Sequence, residues 1–547
     1  GLVCRGAEKE EFVLRTKRWT RVLPLLWLGV CLALLFCYWR SWSTNQLDSD
    51  MASEQILAHQ LAQEGGILSP NWYYSTELRV VNTQLVMAPL FRLFSSWHTV
   101  RVLGSAILLL ILLAAYLFFA RQMRLPRAGL VGAGVLCLPF CALYRQYVLQ
   151  GLYYIPHLAF SFGSFGCLLA ACRAPKGRRW AWGAGYALLG LLAALGGPRQ
   201  LFVLQGPLTF AVLALGWAET PRGMPLANRA RALLGGAWGW RLALCLAGDL
   251  AGLAGYAVNA KWFAANYHFQ GQDYIAFGPF DPDRLAVLVN ALLAAFGWEK
   301  GSFFSPTALF NLAAVLWLGF SVVWAVRLAR GGAAVPLPHR LLGAFYLAGL
   351  CCFVFLYGFT NSGMSDRYVL PLTVFAVPLV ETWLPQAKRY FRRQRAVLSL
   401  CLAGVLALHG VAQYCTTAAA TNTNVDLAAF LVNNGYTQGY ASFWDGNILT
   451  ELSDGRIEVW GLAQNTEPEV RAWLQNTSHT TQPPDGPVFF VISRWEEEGE
   501  RQPSLPELGA AMPQEALIYE DADHLVYGFA SDAAMREACG VPPLGTG

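Results

Sequence analysis

Asp48, Asp50 and Glu54 stand close together in LDSDMASE, just after an apolar run that ends near residue 40. If a helix starts near Asp50, then Asp50 and Glu54 are four residues apart and share one face. A carboxylate held at a membrane surface is a general base for a hydroxyl. The same oxygens suit a divalent cation, which nothing in the sequence requires. The plainer reading is helix capping: Ser49 or Asp50 before a helix with a downstream acid resembles a capping box. Capping and catalysis are compatible.

A second set is cationic. Arg79, Arg145, Arg199 (in GGPRQ), Lys261 and Arg367 (in SDRYVLPL) lie close to the ends of apolar runs. Guanidinium groups pair with phosphate, so a phosphate on a lipid carrier would suit them. Snorkelling to lipid headgroups explains any one of them as well. His59, His98, His157 and His268 have no HxxxH or HExxH spacing, and no histidine metal site is expected. The chain has 13 Cys and no CxxC pair. Cys415 and Cys539 are read as free thiols, not a disulfide. Asp249 lies well inside an apolar run, where an ionisable group is costly. Its plain reading is a protonated side chain bonded to a neighbouring helix.

The elements that must position these groups follow from composition. Of 547 residues, 55% are hydrophobic and 14% charged. A soluble domain carries about 25% charged residues, so disorder is excluded and a polytopic membrane protein is expected. A span needs about 20 apolar residues. Eleven are read, near 22–40, 99–120, 129–148, 152–171, 180–197, 200–218, 242–262, 305–326, 341–359, 368–384 and 396–415. The apolar stretch 284–298 is short and is expected to lie at the interface. The segments 1–22, 121–128, 173–179, 219–241, 327–340 and 385–395 fall at alternate span ends and hold 25 of the 40 Lys and Arg. By the positive-inside rule the N-terminus is cytoplasmic. An odd number of spans then places the C-terminal part outside. The first apolar run is span-length without a small-residue cleavage site, so an uncleaved first helix is expected.

Residues 1–420 thus form the membrane body and 421–547 a separate domain. That tail holds 19 of the 35 acids against 5 basic residues. In the first outer segment, 41–98, helices are expected over 51–63 and about 77–94, lying flat on the membrane. The tail reads as a small extracytoplasmic α/β domain. A helix near 424–434 precedes the strand GYASFW, and a short helix from Asn447 precedes RIEVWGL. EVRAWLQN is expected to be helical. PVFFVISR is a buried strand, and ALIYED with HLVYGFA closes the sheet as an antiparallel pair. No nucleotide-binding signature and no catalytic cluster occur in the tail.

The order of these features resembles a known class. DSDMASE follows the first span, GGPRQ follows the fifth, DRYVLPL enters a late span, and a soluble outer domain begins GYASFWDGNILTELSDG. Together they are similar to the GT-C class of membrane glycosyltransferases, in particular the bacterial aminoarabinose transferases of lipid A and the protein O-mannosyltransferases. The resemblance covers the whole chain in architecture. It implies a sugar donor on polyprenyl phosphate at the outer face and an envelope acceptor, whether glycan, lipid or protein. It maps the class's acidic residue in the first outer loop onto Asp50 as catalytic base, with Asp48 the close alternative and Glu54 beside them. The R-Y-x-x-P element maps onto Arg367, Tyr368 and Pro371, which would hold the donor phosphate with Arg199. The oligosaccharyltransferase WWD motif is absent, and Asp50 is followed by Met51 where the mannosyltransferases have an Asp-Glu pair. Those departures disfavour asparagine or protein acceptors.

The chemistry of the residues agrees with that implication. Sugar transfer needs a deprotonated acceptor oxygen and a stabilised leaving phosphate; one carboxylate and several cations on one membrane face supply both. A lipid or sugar transporter or flippase is the main alternative. It would show several buried charges along a path and inverted repeats. A non-catalytic envelope scaffold is the third reading.

Overall fold

The computed structural model describes residues 2–125, 128–270, 276–301, 304–386, 392–462, 470–494 and 512–540. The body is helical. In chain order it comprises α1 (Leu2–Trp42), α2 (Ser49–Glu64), α3 (Gln84–Phe91), α4 (Trp97–Gln122), α5 (Ala128–Leu136) and α6 (Ala142–Tyr144), which continues as a π-helix to Gln150. Then come α7 (Ile155–Arg173), α8 (Lys176–Ala194), α9 (Gly206–Glu219), α10 (Leu226–Gly235) and α11 (Ala237–Ala257). The body closes with α12 (Ala264–Asn266), α13 (Pro282–Ala295), α14 (Thr307–Arg330), α15 (Leu337–Phe359), α16 (Leu370–Gln386) and α17 (Arg392–Ala419).

Seven described segments are long and apolar enough to cross a membrane: Val22–Gln46, Trp97–Gln122, Ile155–Arg173, Leu201–Glu219, Ala237–Asn266, Thr307–Arg330 and Leu337–Phe359. The chain is a multi-pass membrane protein. These seven account for seven of the eleven expected spans. The other four fall on shorter, more polar or interrupted helices. α8 begins with Lys176, Arg178 and Arg179, and α16 has 17 residues. In α17 the side chains of 392–403 lie outside the described residues. The span expected over 129–148 is broken: α5 stops at Leu136 and α6 starts at Ala142. Pro139, between them, has no N–H to continue the ladder. The apolar stretch 284–298 forms α13, which buries Leu288, Ala291, Leu292 and Ala295.

The first outer segment is packed inside the protein. α2 buries Ser49, Met51, Ala52, Ser53, Gln55, Leu57, Ala58 and Leu61, held between α3 and a helix of the tail. It stops at Gly65, whose φ of 86° is left-handed, a conformation glycine adopts without steric cost. The second helix starts at Gln84, seven residues later than the sequence suggests.

The tail holds α18 (Asn424–Asn433), α19 (Phe443–Leu452) and α20 (Asp532–Cys539) around a five-stranded sheet. Two short strands, β1 (Trp72–Tyr73) of the body and β4 (Gln475–Asn476) of the tail, pair antiparallel across the junction. The main sheet has β2 (Gln438–Ser442), β3 (Glu458–Leu462), β5 (Val488–Ser493), β6 (Leu517–Glu520) and β7 (His524–Phe529), in the order β3-β2-β5-β7-β6. β2 runs parallel to β3 and β5; β5–β7 and β7–β6 are antiparallel. All of β5 is buried. Val488, Phe490 and Ile492 pack with Tyr440, Trp460 and Met535 on one face. Phe489 and Val491 pack with Leu427, Leu431 and Leu449 on the other. Cys415 and Cys539 are free thiols.

One expected element is wrong. In EVRAWLQN, whose Glu469 lies outside the described residues, 470–476 is not helical: bends over 472–474 lead into a two-residue strand. Val470 bridges to Leu462, and Gln475–Asn476 is committed to β4. Pairing with β1 of the body overrides the local helix pattern.

The tail is docked by buried polar contacts. Arg101 of α4 holds Glu451 of α19 with both side chains under 5% exposed, its Nη2 2.6 Å from Oε2. Gln55 of α2 donates to the same Glu451 at 2.9 Å. The Trp97 amide donates to Asp454 at 2.8 Å, and the Ser49 hydroxyl donates to the Phe443 carbonyl.

Candidate functional site

The chain from Leu47 to Glu54 turns out of α1 into α2, and Asp48 is the N-cap. Its Oδ1 accepts from the Met51 amide at 2.8 Å, satisfying one of the orphan donors of the first turn. Its Oδ2 lies 3.4 Å from Gln146 Nε2. The cap is therefore Asp48, not Ser49 or Asp50, which leaves the Asp50 carboxylate to face elsewhere. Arg367 Nη1 stands 4.0 Å from Asp50 Oδ2, with both side chains about one-third exposed. Burial, reinforced by the Asp50 charge, raises the Asp48 carboxyl to about 6. Two close carboxylates disfavour joint ionisation.

Glu54, one turn on, is buried against the segment 77–83. Asn82 Nδ2 donates to it at 2.8 Å, Thr83 donates its hydroxyl, and Arg79 Nη1 lies at 3.9 Å. Burial raises its pKa, against the opposing pull of Arg79 and Thr83. Glu54 belongs to a hydrogen-bonded corner rather than to the Asp50–Arg367 face.

Arg199 is delivered by GGPRQ. Gly197 takes φ 116°, a value only glycine tolerates freely, and α8 thereby turns into the Pro198–Arg199 corner. Arg199 Nη2 donates to both oxygens of Glu77 at 3.2 Å, and Arg79 Nε reaches Glu77 at 3.3 Å. Burial works against the Glu77 charge, yet Arg199 and then Arg79 outweigh it and hold the carboxyl at about 2. The Arg199 guanidinium lies 5.2 Å from the Tyr154 ring and 5.1 Å from the Tyr368 ring, and Arg367 lies 5.4 Å from Tyr147. Among the described residues, Arg199 Nη1 and Arg367 Nε are buried without a hydrogen-bond partner.

Arg199, Glu77 and Tyr368 line a cavity of about 250 Å³, completed by Phe353, Tyr357 and Asn361. Arg367 precedes the lining residue Tyr368 in the chain, and Asp50 stands 4.0 Å from Arg367; neither lines the cavity itself. A smaller cavity of about 30 Å³ adjoins it through Glu77 and is lined by Glu54, Arg79 and Leu474 of the tail.

The sequence candidates thus divide. Asp48, Asp50, Arg199, Arg367 and Tyr368 come together; Glu54 and Arg79 flank them. Lys261 does not join: it is exposed on the π-helical turn Val258–Phe263, outside the residues lining either cavity. Arg145 ties α17 to the body through Gln413 at 3.0 Å and Thr417 at 3.1 Å. Asp249 accepts from Thr209 of the neighbouring α9 at 2.7 Å. Among the described residues, no group of three or more His, Cys, Asp or Glu side chains is placed to hold a metal.

Sequence reasoning missed Glu77, which anchors Arg199 and Arg79, and Tyr147, Tyr153 and Tyr154, which wall the site. It also missed Arg471 of the tail, which feels the Asp50 charge and lies 5.6 Å from the Phe443 ring. A Tyr-Tyr pair at a span end and the E-x-R spacing of Glu77 and Arg79 were the available signals.

The architecture, a helical membrane body with an α/β domain on its end, is a GT-C-like fold. Two solved structures share it. ArnT from Cupriavidus metallidurans in the apo state superposes with a TM-score of 0.53 at 14% identity, covering 92% of this chain and 97% of that one. ArnT from the same organism bound to undecaprenyl phosphate gives 0.55 at 12% identity, covering 93% and 98%. No protein-family profile and no curated protein matches the sequence.

Proposed function

We propose that this protein is a membrane glycosyltransferase that moves a sugar from a polyprenyl-phosphate donor to a hydroxyl of an envelope acceptor. Asp50 is the general base. The observation that carries this reading is the placing of a carboxylate against a guanidinium, Asp50 beside Arg367, next to a cavity whose rim holds a second guanidinium, Arg199. The structural similarity to ArnT bound to undecaprenyl phosphate supports the donor class.

The chemistry follows from the groups. The acceptor hydroxyl gives its proton to Asp50 as its oxygen attacks the anomeric carbon. The bond from that carbon to the phosphate oxygen breaks, and the polyprenyl phosphate leaves as an anion. The free nitrogens of Arg367 and Arg199 are donors for that anion. Glu77 holds Arg199 in place, and the aromatic walls of Tyr147, Tyr154 and Tyr368 keep the guanidinium planes oriented. Asp48, with its raised pKa, modulates the charge beside the base. The basic loops support a cytoplasmic N-terminus and a tail that, with the site, lies on the outer face. A transporter is less well supported, because Asp249 is hydrogen-bonded to Thr209 and not part of a chain of charges.

The reading is tested with purified protein and a panel of polyprenyl-phosphate sugars, measuring release of free polyprenyl phosphate. Release with at least one donor, dependent on Asp50, is expected. No release with any donor, or release unaffected by Asp50→Asn, contradicts it.

A further inference from the structure

Three helices join the Asp50 site to the far end of the bundle. α4 starts at Trp97 beside the tail and runs 26 residues to Gln122, about 39 Å at helical rise. α7 leaves Ile155, next to Tyr154, and ends at Arg173. α15 starts at Leu337 and ends at Phe359, near the cavity at Tyr357. Where their far ends meet, a separate cavity of about 170 Å³ opens. Leu169, Leu337, Pro336 and Pro338 make its apolar wall, Cys172 adds a thiol, and Arg124 and Arg173 supply its charge. No acid lines it.

The surroundings deepen the positive field. Arg124 holds φ 61°, a left-handed conformation disfavoured for any residue with a Cβ and often retained where function requires it. Arg241 lies within hydrogen-bonding reach of Cys172 and 4.8 Å from the Trp238 ring. Arg179 stacks 4.0 Å from Trp240. Among the described residues, the Nε atoms of Arg179 and Arg241 are buried with no hydrogen-bond partner. Glu219, an acid at this end, is already engaged by Arg340 at 2.6 Å and by Trp238 Nε1. Arg173 spends its Nη1 on the Gln122 carbonyl at 3.0 Å and keeps its other nitrogens; two lining arginines backed by Arg179 and Arg241, an apolar wall and, among the described residues, no lining carboxylate match a phosphate diester joined to hydrocarbon. Basic pockets between membrane helices take such headgroups, and guanidinium forks suit the phosphate.

We propose that this cavity binds the phosphate headgroup of an anionic phospholipid, at the membrane face opposite the Asp50 site. The lipid's phosphate pairs with Arg124 and Arg173, and its glycerol and chains lie along the Leu169–Leu337 wall. The site is independent of the glycosyltransferase reading, because its readout is lipid retention and not sugar transfer.

The test uses the full-length protein in detergent, with phosphatidylglycerol, phosphatidylcholine or inorganic phosphate added, read by native mass spectrometry and thermal shift. Wild type should retain phosphatidylglycerol over phosphatidylcholine. The double variant Arg124→Ala/Arg173→Ala should bind phosphatidylglycerol about tenfold more weakly, while Arg222→Ala, an exposed arginine outside the cavity lining, should bind as wild type does. The wild-type preference should also weaken as salt is raised, since Arg124 and Arg173 are exposed and exposed charges are screened; this arm needs no variant. Equal retention of the two lipids, a salt-independent preference, or undiminished binding by the double variant overturns the proposal. Stabilisation by inorganic phosphate alone, matching that of the lipid, overturns the lipid in favour of a free anion.

Discussion

Arg367 and Asp50 come from opposite ends of the sequence and meet at 4.0 Å, Nη1 to Oδ2. The meeting is produced by two local devices. Asp48 caps α2 and so absorbs the first-turn amide, while Asp366–Val369 forms a 3-10 turn that holds Arg367 just ahead of α16. The Arg367 guanidinium keeps a donor for a second anion, since among the described residues its Nε has no hydrogen-bond partner.

Replacing Asp50 by Asn removes the base and keeps the volume. Transfer should fall about 10²- to 10⁴-fold, the usual worth of general base catalysis. Membrane insertion and the melting temperature should stay within error of wild type, since Asp50 is one-third exposed. Steady-state turnover beside a thermal melt checks both.

Arg367→Lys should be poorly tolerated, because an ammonium cannot reproduce a guanidinium's fixed donors. We expect a rise in donor KM of about tenfold with acceptor KM unchanged. A variant that binds donor normally would remove Arg367 from the phosphate role.

The pH dependence follows from Asp48 and Glu77. The Asp48 carboxyl is raised to about 6 by burial and by Asp50. As pH falls through 6, Asp48 takes up a proton and the charge beside the base changes, so activity should decline on that limb. Asp48→Asn, neutral at every pH, should abolish this limb and hold activity near its low-pH level. Glu77 behaves oppositely. Its pKa is about 2 when folded, against an ordinary value of 4.5, because Arg199 and Arg79 outweigh burial. A depressed carboxyl contributes stability that is full above its unfolded pKa and lost as pH falls through the folded one. The window is therefore about pH 5 down to 2. Glu77→Gln should cost about 3 kcal/mol at neutral pH, leaving Arg199 buried beside a neutral partner, and should flatten the acid-unfolding curve across that window.

Glu451→Gln should loosen the tail. It leaves Arg101 buried with a neutral partner, at a cost of about 3 kcal/mol, and weakens the Gln55 contact. Limited proteolysis should cut the junction near residue 420 faster in the variant. Wild-type protection would mean that the β1–β4 pairing and the α2–α19 packing hold the tail unaided.

Much of the architecture was legible because bilayer-scale apolar runs leave one structural solution. Period-2 and fully apolar strands identified the tail sheet in the same way. Apart from one local break, what failed was decided by partners distant in sequence. The 129–148 run is apolar enough to span, but Pro139 breaks it. The helix pattern of EVRAWLQN lost to a strand in the body, Trp72–Tyr73, that no local pattern announces. At the site, Asp50, Arg199 and Arg367 could be nominated from charge and position, since each stands at a span end where charge is costly. Lys261 met the same criterion and lies apart, because span-end position fixes depth and not direction. Glu77 was invisible because an acid in a polar loop is unremarkable until Arg199, 122 positions away, is seen to bind it.

The most direct test follows polyprenyl phosphate released from a polyprenyl-phosphate sugar that wild-type protein accepts, with Asp50→Asn and Glu54→Gln in parallel at matched folding. We expect release by wild type, reduced release by Glu54→Gln, and release lowered about 10²- to 10⁴-fold by Asp50→Asn. Wild-type release by Asp50→Asn would contradict it.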